Sequence, residues 1–192
     1  MALEMSLRLK TLKGRRGLLL ANLNRIPQRY YSQLVLDDFS YEDQKIFCES
    51  EVTIIGCGGL GSPLAVYLVA AGVGKINLID FDVVEERNLH RQVFFKESDI
   101  DRKKVEALKD YLISLDKEVE VNIYPVKSSE IIFKKINSNL FFDCTDNLKT
   151  SFELNEEMVN LNKPICFASA SEFNGQIIIF KNSKKEHCCY SC

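Results

Sequence analysis

The chain has 192 residues, 46% hydrophobic and 27% charged, with a net charge of −2, the profile of one soluble domain with a sound core. The mildly acidic balance gives no reason to expect nucleic-acid binding. Seven cysteines, odd in number, scattered and without a secretory signal, argue against a disulfide framework and for a reducing cytoplasm.

The head, residues 1–28, carries six Lys/Arg against Glu4 alone. Its apolar run, Gly17 to Leu23, is too short to span a membrane and lacks a secretory cleavage pattern. It reads as a basic, poorly ordered or weakly helical extension. The domain proper is expected over 29–192.

Val52–Ile55 is β-branched and apolar and runs into glycines, the mark of a buried strand. Leu60–Ala71 is Ala-rich and apolar, a helix packed on both sides and ended by Gly72 and Gly74. Lys75–Asp80 is a second strand with an acid at its tip. Lys103–Leu115 has helical periodicity, and Val119–Tyr124 alternates as a third strand. Leu140–Cys144 is a fourth. Leu148–Leu161 is helical, and Pro164 opens a fifth strand, Ile165–Ala168. A turn at Asn174-Gly175 leads into a last β-rich run, Gln176–Phe180. Strands alternating with helices predict an α/β, Rossmann-like, doubly wound and largely parallel sheet with helices on both faces. Such sheets bind ligands just beyond the carboxyl ends of their strands.

Gly56, Gly58 and Gly61, with Gly59 between them, fit G-x-G-x-x-G after a strand and before a helix. One glycine permits the tight turn, one lets a phosphate approach the backbone, and one lets helix and strand pack closely. The helix then directs unpaired N–H groups and its positive dipole end at the anion. Asp80, nineteen residues beyond Gly61, is placed to accept hydrogen bonds from a ribose. This much fits NAD or FAD as well as ATP, so an oxidoreductase remains an alternative.

Further motifs select among these. They are Asp80-Phe81-Asp82-Val83-Val84 running to Asn88-Leu89-His90-Arg91-Gln92, then Lys104-Val105, Asp143-Cys144-Thr145-Asp146-Asn147, Gly175-Gln176 and Cys189-Tyr190-Ser191-Cys192. In this order and spacing, from Arg29 to Cys192, the chain resembles the ThiF/MoeB family, ATP-dependent adenylyltransferases related to the ubiquitin-activating enzymes.

Adenylation brings a carboxylate against the α-phosphate of ATP, so two anions meet and the site needs cations and a metal. Arg91 can hold a phosphate bidentately, and Lys104 is a compact point charge. Asp146 is a hard oxygen ligand suited to Mg²⁺, and it can also cap the helix that follows. Asn88 can orient a phosphate or the ribose. The resemblance implies that Asp80, Asn88, Arg91, Lys104 and Asp146 line an ATP site. It implies a homodimer acting on the C-terminal glycine of a ubiquitin-like sulfur-carrier protein.

Cys189 and Cys192 form a C-x-x-C half-site for zinc, with a second pair expected further downstream in a complete family member. Cys57, Cys144 and Cys166 read as small buried hydrophobes. The sequence departs from the family's R-Y-x-R-Q opening, where Arg29-Tyr30-Tyr31-Ser32-Gln33 has Ser32 at the second arginine. Asp101 stands where a glycine is usual. The family continues well past Cys192, so a truncated product, or an inert binding module, is the other alternative.

Overall fold

The computed structural model describes residues 27–181 and 189–191. The basic extension therefore lies almost wholly outside the described residues, as does Cys192. The described residues fall into two units, one up to Cys48 and one from Glu49 onward.

The first unit carries a 3₁₀ turn, Gln28–Tyr30, and two helices, α1 (Tyr31–Leu34) and α2 (Tyr41–Glu49). A reciprocal cap starts α2. Ser40 donates its backbone N–H and its hydroxyl to Asp43 Oδ2 at 2.7 and 2.6 Å, and Asp43 N–H returns to Ser40 Oγ at 3.2 Å. These bonds favour the ionised carboxylate and hold the Asp43 pKa below its usual value.

The second unit is built on strands β1 (Glu51–Ile55), β2 (Lys75–Ile79), β3 (Glu120–Tyr124), β4 (Leu140–Asp143), β5 (Ile165–Ser171) and β6 (Asn174–Phe180). Their order is β3-β2-β1-β4-β5-β6. The first five run parallel, and β6 lies antiparallel against β5. Helices α3 (Gly61–Ala71), α4 (Lys104–Leu115) and α5 (Leu148–Leu161) connect them.

Successive strand residues point to opposite faces, so a strand with helices on both sides is buried on both and mostly apolar. The buried exceptions Thr53 and Asn77 are hydrogen-bonded to each other and to Ser138. In β1, Val52, Ile54 and Ile55 are all buried. Ile55, Ile79, Phe141, Ile165 and Phe167 meet Leu154 and Met158 of α5 and Phe133 and Ile136 on one face. The alternate residues Ile54, Ile76 and Leu78 are buried on the other, which holds Ala65 and Val69 of α3 and Leu108 and Leu112 of α4. The expected doubly wound sheet is thus observed.

Helix ends follow local chemistry. Gly72, at φ 103°, closes α3, with Val73 N–H reaching Leu68 O and Gly72 N–H reaching Val69 O, each at 3.0 Å. Asn162, at φ 53°, closes α5 with the same pair of bonds.

The final hairpin corrects the sequence expectation. Its turn is at Glu172-Phe173, with Glu172 at φ 53°, while Asn174 and Gly175 are already paired with Ser171 and Ala170. Pairing register decides this. It sets Ile178 and Phe180 opposite Phe167 and Ile165, on the side of the core, and a one-residue slip would turn them outward.

Candidate nucleotide site

The strand order reverses between β1 and β4, and the crevice beyond their carboxyl ends is where open α/β sheets bind ligands. The glycine turn lies there. Gly56, at φ 88°, donates its N–H to Ile79 O, and a Cβ on it would sit 2.8 Å from Cys144 O. The loop after β4 therefore presses directly on the turn. A Cβ on Gly61 would lie 1.8 Å from Gly56 O, so the first turn of α3 closes onto the strand's end only without a side chain. Around Gly58 and Gly59 the backbone is open apart from two side chains. A Cβ on Gly59 would meet the Arg91 side chain at 3.8 Å, and one on Gly58 would meet Gln92 Nε2 at 3.5 Å.

Asp80, just past β2, is buried and braces the turn. Its Oδ2 accepts the Cys57 N–H at 2.6 Å and its Oδ1 accepts the Asp82 N–H at 2.9 Å. Asp82 in turn fixes Lys104, whose Nζ donates to Asp82 Oδ2 at 2.9 Å while Lys104 N–H donates to Asp82 O. Lys104 is only 5% exposed, whereas the neighbouring Lys103 turns outward and donates to Phe81 O. This separates the two adjacent lysines, which sequence spacing leaves interchangeable. Asp101, at φ 67°, adopts the left-handed backbone that a glycine would take most easily. Arg102, clamped between Asp99 and Asp110 at 2.7 and 2.6 Å, holds that bend in front of α4.

Asn88 ends a 3₁₀ turn, Glu86–Asn88, and its amide donates to Glu85 Oε2 at 3.4 Å. The Glu85 carboxylate also pairs with Arg87, which lowers its pKa from the usual value. Arg91 is exposed, lies beside Gly59 and reaches His90 Nε2 at 3.5 Å. Gln92 is 3% exposed, and its amide makes no hydrogen bond with the described residues.

Beyond β4, the buried Asp143 accepts the Thr145 N–H and hydroxyl at 3.0 and 2.7 Å and also the Ser151 hydroxyl. This network sets the loop that carries Asp146. Asn147, not Asp146, caps α5, accepting the Lys149 N–H at 3.0 Å. Asp146 is exposed, and its carboxylate has no hydrogen bond or ion pair with the described residues. A lone carboxylate suits Mg²⁺, which takes one or two carboxylates and completes its shell with water and phosphate oxygens.

Three cysteines surround the turn or its flanking strands, and all are buried, as expected. Cys57 is fully inaccessible. Burial, and then the Asp80 charge, push its thiol far up, and the Lys104 charge partly opposes this. Burial pushes the Cys144 thiol up to about 12 and also raises Cys166. None is suited to act as a thiolate nucleophile. Cys189 lies apart. Beside it Tyr190 stacks on Phe167 at 4.4 Å and donates its N–H to Asn155 Oδ1 at 3.0 Å. Among the described residues no group of three His, Cys, Asp or Glu is placed to hold a metal, and of the expected zinc half-site only Cys189 is described.

The structure thus places Gly56, Gly58, Gly59, Gly61, Asp80 and Arg91 around one turn, with Lys104 tied to it through Asp82. It does not join Cys189 to them. The role of Asp82 was missed from sequence, although its Asp80-Phe81-Asp82 spacing was visible.

Fold and site together define a Rossmann-like α/β domain with a glycine turn at its switch point. The ThiF family model matches residues 30–192, and the chain belongs to the ThiF family. It is 38% identical over 166 residues to the sulfur carrier protein ThiS adenylyltransferase of Escherichia coli (strain K12), covering 85% of this chain and 66% of that protein. It is 36% identical over 169 residues to the adenylyltransferase and sulfurtransferase MOCS3-1 of Zea mays, covering 85% of this chain and 35% of that one. The chain therefore spans just under two thirds of the first and about a third of the second. Among solved structures it resembles E. coli MccB with AMPCPP and selenomethionine MccA, at a TM-score of 0.71 and 27% identity, over 78% of this chain and 45% of MccB. It also resembles E. coli MccB with ATP, at a TM-score of 0.63 and 30% identity, over 67% of this chain and 40% of MccB.

Proposed function

We propose that this chain is an ATP-dependent adenylyltransferase that activates the C-terminal glycine carboxylate of a ubiquitin-like sulfur-carrier protein. The observation that carries the reading is the pair of cations at the glycine turn. Arg91 lies against Gly59, and the buried Lys104 is held by Asp82, whose backbone N–H is in turn held by the Asp80 carboxylate that also takes the Cys57 N–H. A hydride-transferring dinucleotide enzyme needs the glycines and Asp80 but has no comparable use for both cations. The relatives named as adenylyltransferases and the MccB complexes with ATP and AMPCPP support the same choice.

In the proposed reaction a carboxylate oxygen of the carrier attacks the α-phosphorus of ATP. The bond from that phosphorus to the bridging oxygen breaks, pyrophosphate leaves, and an acyl-adenylate remains. The bare backbone of the turn at Gly58 and Gly59 lets the phosphates approach, and the dipole of α3 favours their charge, while Ser62 N–H is already given to Gly58 O and Pro63 has none. Arg91 offsets charge on the phosphate oxygens in the transition state. Lys104, fixed by Asp82, adds a point charge that needs no reorganisation. Asp80 keeps the turn in shape and presents its remaining lone pairs toward the ribose, while Asn88 orients the nucleotide. Asp146 would ligate Mg²⁺, which neutralises phosphate charge when bound. The setting is a cytoplasmic homodimer in molybdopterin- or thiamine-type sulfur transfer.

A second reading, a nucleotide-binding module without turnover, is favoured by Ser32 on α1, where the family motif has an arginine. Carrier-dependent exchange of pyrophosphate into ATP separates the two. Exchange that falls about 10²- to 10³-fold in Arg91→Ala supports the enzyme. ATP binding with no exchange supports the module, and hydride transfer without exchange would overturn both.

A further inference from the structure

The glycine turn is flanked by two consecutive residues. Arg91 lies beside Gly59, exposed and charged, and Gln92 lies beside Gly58, buried and neutral. The two are not equivalent in the protein alone. Gln92 is 3% exposed, its Oε1 is fully buried, and its amide has no hydrogen-bond partner among the described residues. A buried amide left unpaired is destabilising, and folded proteins seldom keep one without a use. Its backbone is well anchored, with Gln92 N–H donating to Asn88 O at 3.0 Å and Phe95 N–H donating to Gln92 O at 3.0 Å. The side chain is therefore held in place at its root, with its Nε2 donor at the turn and its Oε1 turned into the interior.

We propose that Gln92 is a phosphate-binding residue whose Nε2 donates a hydrogen bond to a nucleotide phosphate oxygen lying over Gly58. This rests on the reading of the turn as a nucleotide site and adds to it a ligand contact beyond the charged residues. The geometry suits the role in three ways. Nε2 sits at 3.5 Å from where a Gly58 side chain would begin, the place a phosphate occupies when the backbone is bare. A phosphate oxygen is an acceptor and accepts what Nε2 offers. The amide breaks no protein hydrogen bond when it turns to the ligand. The role requires Nε2, and not Oε1, toward Gly58, because an amide oxygen and a phosphate oxygen are both acceptors. A neutral donor here holds the phosphate without adding to the charge that Arg91 and Lys104 already supply.

The test is calorimetry on the full chain with ATP plus Mg²⁺, and separately with adenosine, together with melting of the free protein. In the near-isosteric Gln92→Met, ATP affinity falls about tenfold, equivalent to about 1.4 kcal/mol. Adenosine affinity and the melting temperature of the free protein do not fall, because the lost contact is to phosphate and no protein bond is removed. Gln92→Glu, which sets a carboxylate against the phosphates, weakens ATP more than Gln92→Met does. Unchanged ATP affinity in Gln92→Met overturns the proposal. So does an equal loss for ATP and adenosine, or a lower melting temperature, since either marks a structural role. Wild-type protein that binds no ATP would overturn the nucleotide reading itself, a result distinct from a Gln92 variant that behaves like wild type.

Discussion

Gly61 is the residue with least freedom at the turn. A methyl group there would have to occupy the space of the Gly56 carbonyl oxygen, 1.8 Å away, and backbone cannot yield as a flexible side chain can. Gly61→Ala is expected to cost about 3 kcal/mol in urea unfolding and to abolish ATP binding. Gly59→Ala, whose new methyl would only touch the Arg91 side chain at 3.8 Å, should fold normally. The buried thiols give a pH signature. The Cys144 pKa rises from 9.0 in the unfolded reference to about 12 in the folded protein, so the folded state binds the proton more tightly. That stabilisation is complete below about pH 9 and is lost as pH rises toward about 12. Denaturant midpoints measured across this window should fall, and less steeply in Cys144→Ala. A flat wild-type profile would contradict the burial of this thiol.

At the scale of elements, α4 and α5 carry the site through their N-terminal ends. The left-handed bend at Asp101 delivers Lys104 into the interior one residue after the outward Lys103. Asp tolerates that conformation, whereas a β-branched residue does not, so Asp101→Val is expected to lose about 1–2 kcal/mol of stability. It should also raise the KM for ATP, because Lys104 starts at this bend. The α5 cap is separable from chemistry. Asn147→Ala removes the one side-chain bond to the Lys149 N–H and should cost about 1 kcal/mol while leaving Asp146 free to act. Thermal melting alongside ATP affinity distinguishes these two variants, the first changing both and the second only the melt. The boundaries of α3, α4 and α5 were legible within a residue, because Gly72 and the apolar periodicities are local signals, whereas the short α1 and α2 were not read from sequence at all. The hairpin turn was not. Its position depends on which face Ile178 and Phe180 must turn to the core, a fact of sheet pairing that Asn174-Gly175 chemistry cannot reveal.

Over the whole second unit, one face of the sheet depends on a shared cluster in which Phe141 is fully buried, between the strands and α5. Phe141→Ala should cost about 3–5 kcal/mol by chemical denaturation, with loss of α5 docking. The chain's own pattern of strands, glycines and charged motifs was enough to establish the doubly wound class, the family and most of the residues around the turn. These are properties of short stretches, in which spacing along the chain is spacing in space. Tertiary structure alone decided which lysine is buried, that Asp82 holds it, that Asn147 rather than Asp146 caps α5, and that Gln92 lies unpartnered at Gly58. The lysine, Asp82 and Gln92 placements depend on segments far apart in sequence meeting at the switch point, where burial and hydrogen-bond partners are set by packing and not by local propensity. The α5 cap, by contrast, is a local bond, from Lys149 N–H to Asn147, that decides between two adjacent candidates.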